Sequence, residues 1–254
     1  MLEFDSVPGG GGGTLVLLHS LALDRTIWEG FLQHAGDRFD VLVPDLPGHG
    51  TSSAVSVTSI EAMGSEVASL VQDVSSEPAI FIGLSLGGCV AQAIAINHPE
   101  MVRGLGLVDT TSWYGETAAS DWNGRAQKAM TDGLDSLANF QLARWFTPEF
   151  LEQQPEVADR VLKIFRSMGL DSYVATCRAM GAMDLRDGIT SIAVPTTVLV
   201  GADDPATPVN MAEELGRRIP GASVRVMEKC SHLSAVERPE VVARLLAEDL
   251  FARL

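Results

Sequence analysis

Short apolar runs alternate along this chain with stretches of helical period. Thr14 to Leu18 reads TLVLL, and Val41 to Val43, Ala79 to Ile82, Val102 to Asp109 and Thr197 to Val200 follow in turn. Each is brief, rich in β-branched and bulky residues, and bounded by glycine, proline or polar residues, which predicts buried strands. A first strand is predicted at about Leu2 to Ser6. Ser223 to Met227 is shorter and alternates, as a strand near a sheet edge does. Helices are predicted at Arg25 to Ala35 (with Asp24 as N-cap), Ile60 to Val74, from the turn at 83–87 to about Asn97, and Pro239 to Ala252. Strands that alternate with helices need crossover connections, so the sheet is mainly parallel and covered on both faces. The predicted class is a doubly wound α/β domain, with its chemistry in loops at the carboxyl ends of strands.

From about Ser112 to Ile192 the rhythm breaks. No clear strand occurs there, and helical stretches lie at Leu134 to Phe146, Pro155 to Met168 and Asp171 to Met180. The division expected is an α/β core at 1–111 and 193–254 with a helical cap at 112–192. Five of the six Trp and Tyr residues fall in this interval: Trp113, Tyr114, Trp122, Trp145 and Tyr173. They are expected to hold the insertion together, with one or two, Trp113 and Trp145 foremost, facing a substrate.

After the Ala79–Ile82 run comes Gly83-Leu84-Ser85-Leu86-Gly87, G-x-S-x-G, and then small residues that suit a helix. A serine on so sharp a strand-to-helix turn is strained, and glycines two residues to either side leave room for close packing. Its hydroxyl needs a base to take the proton and a third group to orient that base. Of five histidines, His232 lies in a loop after the last strand and before the final helix, the position a base needs. The acid is sought after Thr197–Val200, where Asp204, closed behind by Pro205, is preferred to Asp203; Asp109 is more remote. An oxyanion needs two preorganised donors. The N–H of Leu86 is one, and that of Leu21, with Ser20 as its neighbour, is the other. His19 is expected to brace that loop.

Composition narrows the partners. A formal net charge of −15 repels nucleic acid and anionic membranes, and an anionic substrate needs a local basic group. No apolar run reaches membrane-spanning length, and the start, MLEFDSVPGG, lacks a basic and an apolar signal region. Cys89, Cys177 and Cys230 lie far apart without metal-ligand spacing, which fits a reducing cytoplasm. The five glycines Gly9–Gly13 lack a following Lys-Ser/Thr and are expected to form a flexible turn, not a phosphate loop.

The segments LVLLHSLALD, VPDLPGHGTSS, GLSLGG, VGADDPATP and CSHLSAVERP resemble those of α/β-hydrolases across nearly the whole chain. In that pattern the acid is the Asp of G-x-x-D-x-x-x-P, which falls on Asp204. HSL, RWFTPEF at 144–150, MDLRDGI at 183–189 and HLSAVERP are most similar to 3-oxoadipate enol-lactonases. The resemblance implies cofactor-free hydrolysis, through an acyl-enzyme, of an enol-lactone in aromatic breakdown, by a monomer or homodimer acting on a small molecule. Alternatives are a general carboxylesterase with an apolar acyl pocket and a ligand sensor that retains the triad. Two departures stand out. Only 18 residues precede His19, fewer than usual, so the family's first strand is expected to be missing. Gly181-Ala182 stands where members often carry an arginine, which leaves Arg144, Arg178 and Arg25 as candidate partners for a substrate carboxylate.

Overall fold

The computed structural model describes residues 1–53 and 58–254. Strands form at β1 (Phe4–Val7), β2 (Thr14–Leu18), β3 (Asp40–Pro44), β4 (Ala79–Leu84), β5 (Val102–Val108), β6 (Thr196–Gly201) and β7 (Ser223–Met227). They make one sheet in the order β1-β3-β2-β4-β5-β6-β7, parallel throughout except for β1, which runs antiparallel to β3. Every residue of β4 and β6 is buried, as their continuous apolar sequences require of central strands. β1 and β7 are the margins, and their mostly exposed or half-buried residues follow from that position.

The chain travels outward from β2 to β3, then crosses back to place β4 on the other side of β2. This reversal opens a crevice between the carboxyl ends of β2 and β4, where Leu18 lies in register with Gly83. The loop after β2 and the G-x-S-x-G turn after β4 are therefore neighbours by topology.

The helices are α1 (Glu29–Leu32), α2 (Ile60–Val74), α3 (Leu86–Asn97), α4 (Ala118–Asp132), α5 (Ala138–Trp145), α6 (Pro148–Gln153), α7 (Pro155–Ser167), α8 (Leu170–Ala182), α9 (Val209–Arg218), α10 (Ser234–Glu237) and α11 (Pro239–Asp249). They cover both faces of the sheet. α2 keeps its expected limits because the Ser59 side chain accepts from Ala62 N–H at its start. The helix expected over 25–35 is shorter. A 3₁₀ turn occupies Arg25–Trp28, α1 ends at Leu32, and Gly36 follows with φ +73°. The glycine run is not free either: Gly9 N–H donates to Asp40 Oδ1 (2.8 Å), and Gly10 and Gly12 donate to the carbonyls of Asp37 and Arg38.

Between β5 and β6 the chain builds α4 to α8. The two ends of this stretch lie side by side, joined by a bridge between Trp113 and Asp184 and by Leu185 N–H on the Ser112 carbonyl (2.9 Å). α4 was not anticipated from the sequence. Its buried residues are Ala118, Trp122, Ala126 and Ala129, so three alanines carry most of the helical period, and Gly124 interrupts it. Among the described residues no helix is long and apolar enough to cross a membrane.

Candidate active site

Ser85 sits between the end of β4 and the first residue of α3, with φ +54° and ψ −114°, a conformation that costs a non-glycine residue energy. The strain is held by packing on every side. A Cβ on Gly83 would lie 2.2 Å from the Gly87 carbonyl oxygen, and one on Gly87 would lie 2.1 Å from the Leu18 carbonyl oxygen. Both glycines are therefore required by close backbone approach. Ser85 N–H donates to the Val108 carbonyl (2.9 Å), and Thr110 Oγ1 donates to the Ser85 carbonyl (2.7 Å). The hydroxyl is left at the mouth of the crevice.

His232 Nε2 lies 2.9 Å from Ser85 Oγ, and His232 Nδ1 lies 2.8 Å from Asp204 Oδ2. Three residues separated by up to 147 positions thus form one hydrogen-bonded line. Asp204 is nearly filled with donors. Its Oδ1 accepts from the N–H groups of Ala206 (2.7 Å) and Thr207 (3.0 Å), and its Oδ2 also accepts from Thr207 Oγ1 (2.8 Å). Burial alone raises this carboxyl's pKa, but His232 and the Thr207 donors outweigh burial and hold it below the ordinary value. An ionised Asp204 keeps the proton on Nδ1 and leaves Nε2 able to accept from the serine. Thr207 was missed in the sequence; an Asp whose side chain bonds the N–H groups two and three residues on is the signature of an Asx-type turn.

Asp109, the remoter candidate for the acid, has a different place. It does not reach the histidine ring; its Oδ1 accepts from Gly201 N–H and its Oδ2 from Ser234 N–H, both at 3.0 Å. It thereby ties the strand leading to Asp204 to the loop carrying His232. Burial first, and then the nearby Asp204, push the Asp109 pKa well above the carboxylate range. Together with the Val108 carbonyl and the Thr110 hydroxyl, this carboxyl links all three triad-bearing loops to the end of β5. Asp203 is not part of this line: among the described residues no side-chain hydrogen bond joins it to His232, and its backbone carbonyl accepts from Ser231 Oγ (3.4 Å).

The loop after β2 turns at Ala22, which has φ +59°, and closes with Leu23 N–H on the Ser20 carbonyl (3.2 Å). His19 braces it. Leu46 N–H donates to His19 Nε2 (2.9 Å), so the ring proton is on Nδ1 and bonds the Ser20 carbonyl (2.8 Å). Burial lowers the His19 pKa and keeps the ring neutral in this role. Leu21 and Ser20 line the crevice beside Ser85, and Leu21 N–H has no partner among the described residues. Leu86 opens α3, so its N–H is one of that helix's unpaired amino-terminal donors.

Ser85 and His232 open into a cavity of about 560 Å³. The stretch between β5 and β6 supplies most of its wall: Tyr114 before α4, Trp122 and Arg125 on α4, Phe140, Arg144 and Trp145 on α5, and Met180 on α8. Of the substrate-facing residues expected from sequence, Arg144 and Trp145 are here. Trp113 and Arg178 are not. The Trp113 ring lies under the Arg186 guanidinium (3.7 Å), and Arg178 is on the exposed face of α8, turned out by the buried stripe of Tyr173, Cys177 and Met180. Arg25 is likewise committed elsewhere, to Asp45 and Asp5. Arg125 and Lys128 were missed because α4 was missed. No arginine fits at position 181, where even a Cβ would lie 3.0 Å from Trp122 Cβ; the close approach of α4 to α8 occupies that space. Among the described residues no cluster of three His, Cys, Asp or Glu side chains could hold a metal ion.

The model of the alpha/beta hydrolase family matches residues 15–245. The chain is 32% identical to 3-oxoadipate enol-lactonase 2 of Acinetobacter baylyi, over 89% of this chain and 84% of that one. It is 30% identical to the pimeloyl-[acyl-carrier protein] methyl ester esterase of Vibrio cholerae, over 94% of each. Among solved structures it superposes on the enol-lactonase from Burkholderia xenovorans with a TM-score of 0.92, 31% identity and coverage of 97% and 95%. A malate-bound thermophilic esterase from Thermogutta terrifontis gives 0.90, with 29% identity and coverage of 97% and 92%. A nucleophile elbow at a sheet's switch point and a match over nine-tenths of the sequence agree: this chain belongs to the α/β-hydrolase family.

Proposed function

We propose that the chain is a serine hydrolase that opens a lactone or carboxylic ester through an acyl-enzyme, with an enol-lactone of the 3-oxoadipate type as its substrate. The observation that carries this reading is the unbroken line Asp204–His232–Ser85, ending on a hydroxyl that faces a cavity of small-molecule size. Ser85 Oγ attacks the carbonyl carbon while His232 Nε2 accepts its proton. The tetrahedral oxyanion is received by the N–H groups of Leu86 and Leu21, each such donor being worth about 3 kcal/mol. The imidazolium returns the proton to the ring oxygen as the C–O bond breaks. In a lactone both halves stay on Ser85 as one open-chain acyl group. Water, deprotonated by His232, then attacks that ester and frees the serine. No step calls for a cofactor.

The identity to an enol-lactonase supports the lactone, and malate in a related esterase supports a substrate that carries a carboxylate. A second reading, a carboxylesterase for neutral acyl groups, draws on the apolar share of the wall, with Leu137, Trp145, Met180 and Met211, and on the esterase relatives. Ser85→Ala is expected to keep the fold and lose at least about 10⁴-fold in turnover. Lactone hydrolysis that survives this substitution ends the mechanism. Comparing a carboxylated enol-lactone with neutral nitrophenyl esters separates the two readings: a preference of orders of magnitude for neutral esters rules out the lactonase.

A further inference from the structure

Both chain neighbours of His232 are bonded to one short segment at the end of α5. Ser231 Oγ donates to the Arg144 carbonyl (3.0 Å), and Leu233 N–H donates to the Trp145 carbonyl (3.0 Å). The side chains of Arg144 and Trp145 line the cavity, so one stretch of backbone carries part of the wall and holds the loop of the base. A third link closes two residues further on. Glu237, the last residue of α10, donates its own N–H to the Leu233 carbonyl (2.9 Å), which turns it back toward the loop. Its Oε2 accepts from Ser231 N–H (2.9 Å), and its Oε1 accepts from the N–H (3.1 Å) and the hydroxyl of Thr147. The segments RWFTPEF and HLSAVERP, 90 residues apart at these contacts, thus meet through a single carboxylate.

Glu237 is only 7% exposed, and among the described residues no cation pairs with it. A buried carboxylate held by hydrogen bonds alone carries a desolvation cost that an apolar side chain of the same size would not. What it supplies is acceptance at two points. Each oxygen faces a backbone N–H, and a backbone N–H cannot become an acceptor. A glutamine in either orientation would set its NH₂ against one of them. Thr147 is also the N-cap of α6: its hydroxyl accepts from Phe150 N–H (3.3 Å) while donating to Glu237. Asp109 ties the loop of the base to the sheet, through Ser234 N–H; Glu237 ties it to the cavity wall.

We propose that Glu237 is a positioning residue for hydrolysis, fixing the His232 loop to the wall segment 144–147 so that Nε2 stays aimed at Ser85. Its use rests on the hydrolase reading; the clasp itself does not. The base is then held from two sides, and the segment that shapes the cavity is one of them.

The test follows p-nitrophenyl acetate hydrolysis together with the low-field proton resonance of His232 Nδ1–H, which reports its bond to Asp204. Glu237→Gln is expected to lower kcat about 10- to 100-fold, the effect of about an ångström of misplacement, with KM changed less than about threefold. The resonance should move upfield, which a loss of stability with unchanged geometry would not cause. Thr147→Val removes the hydroxyl donor from the wall side and should lower kcat about 3- to 10-fold. Thr147→Ser restores that donor and should recover most of the loss. A kcat within about twofold of wild type in Glu237→Gln overturns the proposal, as does a lower kcat with the resonance unmoved. Equal losses in Thr147→Val and Thr147→Ser overturn it as well. If Glu237→Gln does not fold, the two Thr147 variants decide. If the wild type hydrolyses no ester, the hydrolase reading fails, and the position of the resonance in Glu237→Gln alone decides whether the clasp places His232.

Discussion

Replacing Asp204 with asparagine separates orientation from bulk, because the two side chains have nearly the same shape. In the wild type, Oδ1 accepts from two backbone N–H groups, those of Ala206 and Thr207, at 2.7 and 3.0 Å. Those donors cannot be reversed, so the asparagine must keep its carbonyl oxygen there. Its NH₂ is then forced into the place of Oδ2, 2.8 Å from His232 Nδ1. The Thr207 hydroxyl can turn and accept, but the ring has to give up its Nδ1 proton and carry one on Nε2 instead. That proton points at Ser85 Oγ, 2.9 Å away, and the imidazole can no longer receive one from it. The expected loss is about 10⁴ in kcat, or about 5.5 kcal/mol of barrier, with KM little changed. Steady-state hydrolysis of p-nitrophenyl acetate measures it, and circular dichroism shows that the fold is intact. Asp109→Asn serves as the contrast. It disturbs the clasp on Gly201 and Ser234 but leaves the His232 tautomer alone, so it should cost at most about 100-fold in kcat and about 1–3 kcal/mol of stability. The reasoning is refuted if Asp204→Asn costs less than tenfold, or if Asp109→Asn causes the larger loss.

Two further predictions concern the frame around the site. Burial first, and then the His19 charge, lower the His49 pKa from 6.5 to about 3. The folded chain therefore binds fewer protons than the unfolded one between these values, and stability is complete above about pH 6.5 and lost as pH falls toward 3. At pH 4.5 the loss from this group alone is on the order of 3 kcal/mol, at 1.36 kcal/mol per pH unit over two units. Urea unfolding of wild type and His49→Gln at pH 7.5 and 4.5 should show the variant losing less on acidification; equal losses contradict the assignment. Gly87→Ala places a methyl group 2.1 Å from the Leu18 carbonyl oxygen, where the obstacle is backbone. It should cost about 3 kcal/mol or more in stability and displace Leu86 N–H from the oxyanion site, read as a fall in both melting temperature and kcat. A variant as stable and active as wild type would show that the elbow does not need its close contact.

Much of this molecule is written in local pattern. Continuous apolar runs such as TLVLL and AIFI can only be buried on both faces, so the strands, their order of appearance and their parallel crossovers follow from one-dimensional periodicity. Gly83, Ser85 and Gly87 announce the elbow because the strain and the close contact there arise within five residues. The helical stretch between β5 and β6 was only partly legible. α4 hides its period behind alanines, since a helix that packs closely on α8 needs small residues there and shows little hydrophobic contrast, and behind Gly124, which stands in open space and lowers the helical signal. With α4 hidden, Arg125 could not be weighed, and Trp113 and Arg178 were given a wall they do not line. Asp109 and Asp204 illustrate the same limit at the centre of the site. Both are acids at strand ends; Pro205 and the G-x-x-D-x-x-x-P pattern favoured Asp204 for the ring, but nothing along the chain says that Asp109 clasps two backbone amides. By itself the sequence determined what depends on neighbours in the chain: strand, turn, nucleophile and the class of fold. The second role of Asp109 as a clasp, and which cations face the cavity, were decided only in three dimensions, because direction and distance between remote side chains are set by how elements pack and leave no periodic trace in the chain.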